Sequence, residues 1–319
     1  SDIKGNIIVY SLEKKQTIYK YNFYKKKFKK IIKNINITIS NNIIFAVDNL
    51  GYLYALNYKT DKLIWAKNYQ VPFRSNLKLI GDKIVAADQD NSLYLINRFN
   101  GERLRTIPTE ETILKKYFVN SIASDENSLF YLNTYGSIYS ISNTNLKINW
   151  FVNLNRSLDL NPSSLFFSNP IVIYKDKIIV STDPYLYVLD SISGSTIFKT
   201  PIISIFKPII SGNKLFIITK DNLLVCIDLI KGNIIYSLNI SDEIGNFLET
   251  KSKQINIKSL SLVNNNLLIF LNNSYLVQMG VSGKIMKINK LPTKLNTFPI
   301  FVKESILFLN NKNKLVIIN

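Results

Sequence analysis

The sequence has no histidine, one cysteine, two tryptophans and two methionines in 319 residues. Each scarcity removes a class of chemistry. Without histidine there is no Ser-His-Asp or Cys-His nucleophile and no His-based zinc site. One cysteine forms neither an intramolecular disulfide nor a four-cysteine metal cluster, so the redox compartment is not legible from cysteine usage. Cys226 sits inside the apolar run 223–228 and is expected to be a small buried strand residue, not a reactive thiol. No GxxxxGK[ST] or GxGxxG segment offers a phosphate-cradling loop. The longest apolar stretches are strand-length, too short for a membrane-spanning helix.

Arginine is scarce as well. Five arginines accompany 35 lysines, and the net charge is +18. Lysine is a diffuse point charge, whereas arginine suits bidentate phosphate recognition. Heavy Lys, Asn and Ile usage is what an AT-rich genome produces, so the charge is either compositional or a used anion-binding feature. The densest cluster covers residues 25–33, between the first two copies of the repeat described below. It is either a solvated connection or a salt-sensitive contact with anionic lipid or an acidic partner, made by Lys25, Lys26, Lys27, Lys29 and Lys30.

What is plentiful is core material: 46% of the residues are hydrophobic and 12% aromatic, enough to exclude a disordered chain. The chain opens on Ser1 without methionine or signal peptide, and is expected to be a processed or trimmed product.

The apolar residues recur in one phrase. An apolar run ends on a polar residue, a turn follows, then another apolar pair. The fullest copy is Gly51-Tyr-Leu-Tyr-Ala-Leu-Asn57, closing at Leu63-Ile64-Trp65. Aligned on Asn57, the others reach Ser11, Asn97, Ser142, Asp190, Asp228, Met279 and Asn319, at spacings of 38–51 residues. A repeat of about 40–50 residues with several short strands per unit is the signature of a β-propeller.

Each unit resolves into four strands. In one, residues 77–80, 84–87, 93–96 and 103–107 are apolar and are separated by Gly, Asn and Asp turns. Gly51, Gly101, Gly136, Gly194, Gly232 and Gly283 fall where a hairpin needs positive φ. The second and third strands are apolar on both faces and so need cover on both, which neighbouring blades supply. Six units carry all four strands, the first carries two and the last three, giving 29 strands. The expectation is an all-β chain: one propeller domain over residues 1–319, built of four-stranded antiparallel blades. Eight blades is the first count, with the absent strands placed upstream of Ser1; seven blades with an irregular closure is the alternative.

Three insertions interrupt the pattern. Residues 109–117 have a capping Thr, early acids and late lysines, consistent with one or two helical turns. Residues 151–169 and 241–256 read as long loops, the usual place for binding residues on a rigid scaffold. The carboxylate pairs Glu110-Glu111, Asp242-Glu243 and Asp88 with Asp90 sit in turns or helix starts, where local capping explains them.

The phrase from Gly51 to Trp65 resembles the repeat of pyrroloquinoline-quinone-like propellers, with looser copies at 183–198 and 221–236 and Trp150 at the same terminal position. Two branches of that family compete. Quinone-dependent dehydrogenases use a catalytic Asp, a bound Ca²⁺, an adjacent Cys pair and a Trp floor for the cofactor. This chain has no Cys pair, and Trp65 and Trp150 occupy the structural position of the repeat. The BamB-type lipoprotein propellers of the outer-membrane β-barrel assembly machinery resemble it in size and in lacking catalytic groups.

That second resemblance implies a non-enzymatic, monomeric periplasmic scaffold without cofactor or metal, held at the outer membrane by a lipidated cysteine that is not in this sequence. It further implies partner contacts from the loop after a mid-chain blade, here Leu154, Arg156, Leu158 and Asp159, with Arg156 donating to a partner carboxylate and the leucines filling an apolar groove. A cytoplasmic propeller adaptor or Lys-rich nucleic-acid binder is the remaining alternative.

Overall fold

A computed structural model describes residues 1–112, 120–155, 166–251 and 254–319. The described residues form 29 strands and one α-helix. The chain divides into two compact units, Ser1–Phe167 with Ile192–Gly194, and Ser168–Ser191 with Ser195–Asn319.

The first unit holds four sheets. A two-stranded sheet pairs β1 (Asn6–Ser11) with β2 (Gln16–Asn22). Next come β3 (Ile35–Ser40), β4 (Ile43–Asp48), β5 (Tyr52–Asn57) and β6 (Lys62–Asn68). The third sheet is β7 (Lys78–Ile80), β8 (Lys83–Ala87), β9 (Leu93–Asn97) and β10 (Arg103–Ile107). The fourth is β11 (Ser121–Ser124), β12 (Ser128–Leu132), β13 (Ser137–Ser142) and β14 (Ile148–Asn153).

The second unit repeats the plan. Its first sheet is β15 (Val172–Tyr174), β16 (Lys177–Ser181), β17 (Leu186–Asp190) and β18 (Thr196–Thr200). Then follow β19 (Ile209–Ser211), β20 (Lys214–Ile218), β21 (Leu223–Asp228) and β22 (Ile234–Asn239), and the helix α1 (Ile240–Phe247). The next sheet is β23 (Ile257–Val263), β24 (Asn266–Leu271), β25 (Tyr275–Gly280) and β26 (Ile285–Lys290). A three-stranded sheet closes the sequence: β27 (Ile300–Val302), β28 (Ser305–Leu309) and β29 (Leu315–Ile318).

Every sheet is an antiparallel meander with its strands in chain order, as the repeat predicts. Six sheets have four strands, and the terminal sheets have two and three. Six complete four-stranded sheets with partial sheets at the two termini match the seven-bladed alternative, not the eight blades of the first count.

The apolar-on-both-faces pattern has a direct explanation. Phe45 and Val47 of β4 pack with Ile84 and Ala86 of β8, whereas the alternating Ile44 and Ala46 pack with Ile7 of β1. The other face of β8, Val85 and Ala87, meets Leu129 and Tyr131 of β12. In the second unit Ile179 and Val188 meet Leu215 and Ile217, while Phe216 and Cys226 meet Leu267 and Ile269. Each middle strand therefore feeds two separate cores, and each fully buried Leu, Ile or Phe contributes about 1.5–3 kcal/mol.

The recurrent polar residue at the end of the phrase caps a turn. The Asn57 side-chain oxygen accepts from the Lys59 and Thr60 N–H at 3.0 and 3.2 Å, and Asp228 does the same for Ile230 and Lys231 at 2.8 Å. Ser142 substitutes a hydroxyl, 3.3 Å from the Thr144 nitrogen. Near the end of the third strand its pairing with the fourth shifts register, at Ala55/Leu56, Ser140/Ile141, Val188/Leu189, Cys226/Ile227 and Gln278/Met279. This recurrent bulge bends the outermost strand of the sheet.

Candidate protein-interaction surface

In a four-stranded meander the turn between the second and third strands emerges at the same end as the crossover into the next sheet. The turn is held by the last residue of the second strand or its neighbour. Asp48 Oδ1 accepts from the Leu50 and Tyr52 N–H, and Asp88 Oδ1 from those of Asp90 and Ser92. Asn133 and Asn310 repeat the arrangement with an amide oxygen. Asp48 and Asp88 are buried, and burial pushes both carboxyls above the ordinary range even though tyrosine hydroxyls and turn N–H groups donate to them. The donors are Tyr24 at 2.5 Å from Asp48 Oδ2 and Tyr94 at 2.8 Å from Asp88 Oδ2.

The insertion at 151–169 leaves from a clamped base. The Leu154 N–H donates to the Gly136 carbonyl at 2.8 Å, and the Phe166 N–H to that of Thr134 at 2.9 Å. The Phe166 ring lies against Gly136, where a Cβ would come within 2.7 Å of Cδ2. Leu154, the first of the expected contact residues, is itself buried at this base. Arg156, Leu158 and Asp159 lie outside the described residues. At the two ends of the segment Phe151 and Phe167 are 64% and 61% exposed, and the Phe151 ring stacks on Tyr139 with centroids 5.6 Å apart.

Glu110 is the residue the sequence undervalued. Its carboxylate does not cap locally. It accepts from Ser137 Oγ at 2.6 Å, Tyr139 OH at 2.7 Å and Asn133 Nδ2 at 2.5 Å, tying the crossover after β10 onto the next sheet. Burial pushes this carboxyl up, but those donors outweigh it and hold it below the ordinary range. Its partners are 23–29 residues away, so no local signal marks them. Of the helix expected over 109–117, residues 109–112 are not helical, and 113–119 lie outside the described residues.

The segment 241–256 is not wholly loop. It opens with α1, capped by Asn239, whose side chain accepts from the Ser241 and Asp242 N–H at 2.9 and 3.4 Å. Asp242 and Glu243 stand in the first turn, where the helix dipole favours them, so here local capping holds. Phe247 and Leu248, at the far end, are exposed. The signal was present in the Asn cap followed by two acids, but Gly245 inside the helix and its short length masked it.

Other residues keep structural roles. Cys226 is fully buried, and burial pushes its thiol up. Trp65 donates from Nε1 to the Arg98 carbonyl at 3.0 Å, and the Trp150 ring covers Gly194. Lys25, Lys26, Lys29 and Lys30 are exposed, and the Lys27 side chain lies outside what is described. An open groove of about 710 Å³ runs beside β6, lined by Lys67, Tyr69, Gln70, Glu102 and Arg103. Among the described residues no three Cys, Asp or Glu side chains are grouped to hold a metal ion.

Comparison with known proteins places this architecture. A crystal structure of BamB from Moraxella catarrhalis superposes with a TM-score of 0.76 at 11% identity, covering 99% of this chain and 92% of that one. The computationally designed Ika8 protein gives 0.73 at 12% identity, and the C-terminal WD40 domain of Sif2 gives 0.66 at 11%; each covers 99% of this chain and 90% of its own. At such identities the likeness establishes the fold, a β-propeller. No curated protein sequence matches the chain. The family model described as outer membrane protein assembly factor BamB matches residues 7–238, most of the sequence, and the chain belongs to that family.

Proposed function

We propose that this chain is a non-enzymatic, monomeric scaffold, a single propeller domain at the periplasmic face of the outer membrane. It binds partner proteins through its crossover loops and supports the assembly of outer-membrane β-barrels. The observation that carries this reading is the family match over residues 7–238. The clamped base of the 151–169 insertion, flanked by exposed Phe151 and Phe167, agrees with it. A loop with a rigid base loses less entropy on docking, and exposed aromatics supply apolar area for a partner. Within that segment Leu154, Arg156, Leu158 and Asp159 are the proposed contacts, Arg156 toward a partner carboxylate.

Capture from detergent-solubilised bacterial envelopes tests the proposal. The immobilised chain should retain a component of the outer-membrane barrel-insertion machinery, and Arg156→Glu should weaken that capture about 30-fold if the arginine is a hot spot. Recovery of no such component would end the reading. Sedimentation of the isolated chain at a single monomer mass checks the stated oligomeric state.

A further inference from the structure

The connection between β2 and β3 is built differently from a solvated loop. Its short 3₁₀ turn, Lys26–Phe28, is pinned from below. Lys33 is only 3% exposed: its ammonium donates to the Phe28 carbonyl and lies 5.2 Å from the centroid of the Tyr24 ring. The Lys33 N–H donates to the Ile3 carbonyl at 3.0 Å, and Asn49 Nδ2 donates to the Ile32 carbonyl at 3.0 Å. The Phe28 ring meets Tyr24 and Tyr52 edge-on. The pinned loop turns outward Lys25, Lys26, Lys29 and Lys30, followed directly by Ile31 and Ile32, which are 43% and 67% exposed.

Compositional drift supplies lysines and isoleucines alike; what is particular to this loop is their placement, two adjacent isoleucines held out beside four lysines on a backbone fixed by one buried lysine. Lysines attract anionic headgroups at about 1 kcal/mol each, and a neighbouring apolar pair gains by entering the headgroup–acyl boundary. We propose that this loop is a membrane-surface contact that seats on anionic phospholipid, the lysines on headgroup phosphates and Ile31 and Ile32 in the interface. The proposal is independent of the scaffold reading, because it concerns a different loop and a lipid surface.

Co-sedimentation with vesicles tests it. The chain should partition onto an equal mixture of phosphatidylcholine and phosphatidylglycerol and not onto phosphatidylcholine alone. Lys29→Gln with Lys30→Gln should lower the partition coefficient about 30-fold, the equivalent of about 1 kcal/mol per lysine. The matched control Lys312→Gln with Lys314→Gln, also at exposed positions, should leave it nearly unchanged. Ile31→Ser with Ile32→Ser should remove the binding that survives 1 M salt, where screening acts within about 3 Å. All these side chains are exposed, so thermal midpoints should stay at the wild-type value; should the Lys29 and Lys30 pair shift it, Lys25→Gln with Lys26→Gln takes its place. Three results would overturn the proposal: equal loss in the control pair, no partition onto the anionic vesicles, or tighter loop-dependent binding to single-stranded DNA than to vesicles.

Discussion

Gly101 lies beneath the indole of Trp65, so close that a Cβ on the glycine would stand 2.5 Å from Cε3. The same pairing recurs between Gly194 and Trp150 and between Gly232 and Phe198. Gly101 has φ +70°, and its carbonyl accepts from the Tyr69 hydroxyl at 2.9 Å. Gly81 also has positive φ, +55°, but open space around its Cβ position. Gly81→Ala should therefore cost only the left-handed strain, about 1–2 kcal/mol. Gly101→Ala should cost a further 1–3 kcal/mol, roughly, for forcing the indole aside. Urea midpoints of the two variants decide it, and equal losses would refute the steric account.

Asp48 and Glu110 should respond to pH in opposite senses. The Asp48 carboxyl is raised in the fold, so its contribution is complete below the ordinary carboxylate pKa and fades as pH rises through the raised value. The repeat already uses an amide for the same turn at Asn133 and Asn310. Asp48→Asn should consequently hold or raise the thermal midpoint at neutral pH, and its advantage over wild type should vanish in acid.

The Glu110 carboxyl is lowered, so its contribution is present above the ordinary pKa and lost as pH falls through the folded value. Glu110→Gln should destabilise by about 1 kcal/mol at neutral pH. The gap to wild type should close in acid, as measured by thermal midpoints across the pH series.

Asn239→Ala removes both side-chain hydrogen bonds at the start of α1. A loss of about 1 kcal/mol is expected. It should appear chiefly as faster amide hydrogen exchange over residues 240–247, with smaller effects in β21 and β25.

Cys226 should ignore a thiol reagent at neutral pH in the folded protein and react fully once denaturant exposes it. Burial both shields the sulfur and disfavours the thiolate. Fast labelling under native conditions would contradict the packing of β21 against β24.

Much of this fold was legible because one periodic signal carried it. Consecutive apolar residues such as Phe45-Ala46-Val47 only make sense on a strand covered twice, and the polar residue closing each run marks a capped turn. The third sheet shows how far that goes: residues 103–107 were expected as its last strand, and β10 has those bounds. What the pattern does not encode is contact across sheets. Glu110 looked like half of a local acid pair because its three donors lie on another sheet. Lys33 sits in a lysine run, and nothing in that run says it is the buried one. Leu154 looked like a loop residue, yet the hydrogen bond to Gly136 draws it into the core.

The recurrent register shift between the third and fourth strands bears on how this molecule meets others. An outermost strand leaves a row of unpaired amides, an invitation to foreign chains. Here that row is kinked, and Lys62, Lys67, Arg103, Arg105 and Lys287 stud the strands that carry it. A visiting strand would have to match the kink and displace the cations along its whole length. For a protein made almost entirely of sheet, that makes strand addition at the rims costly.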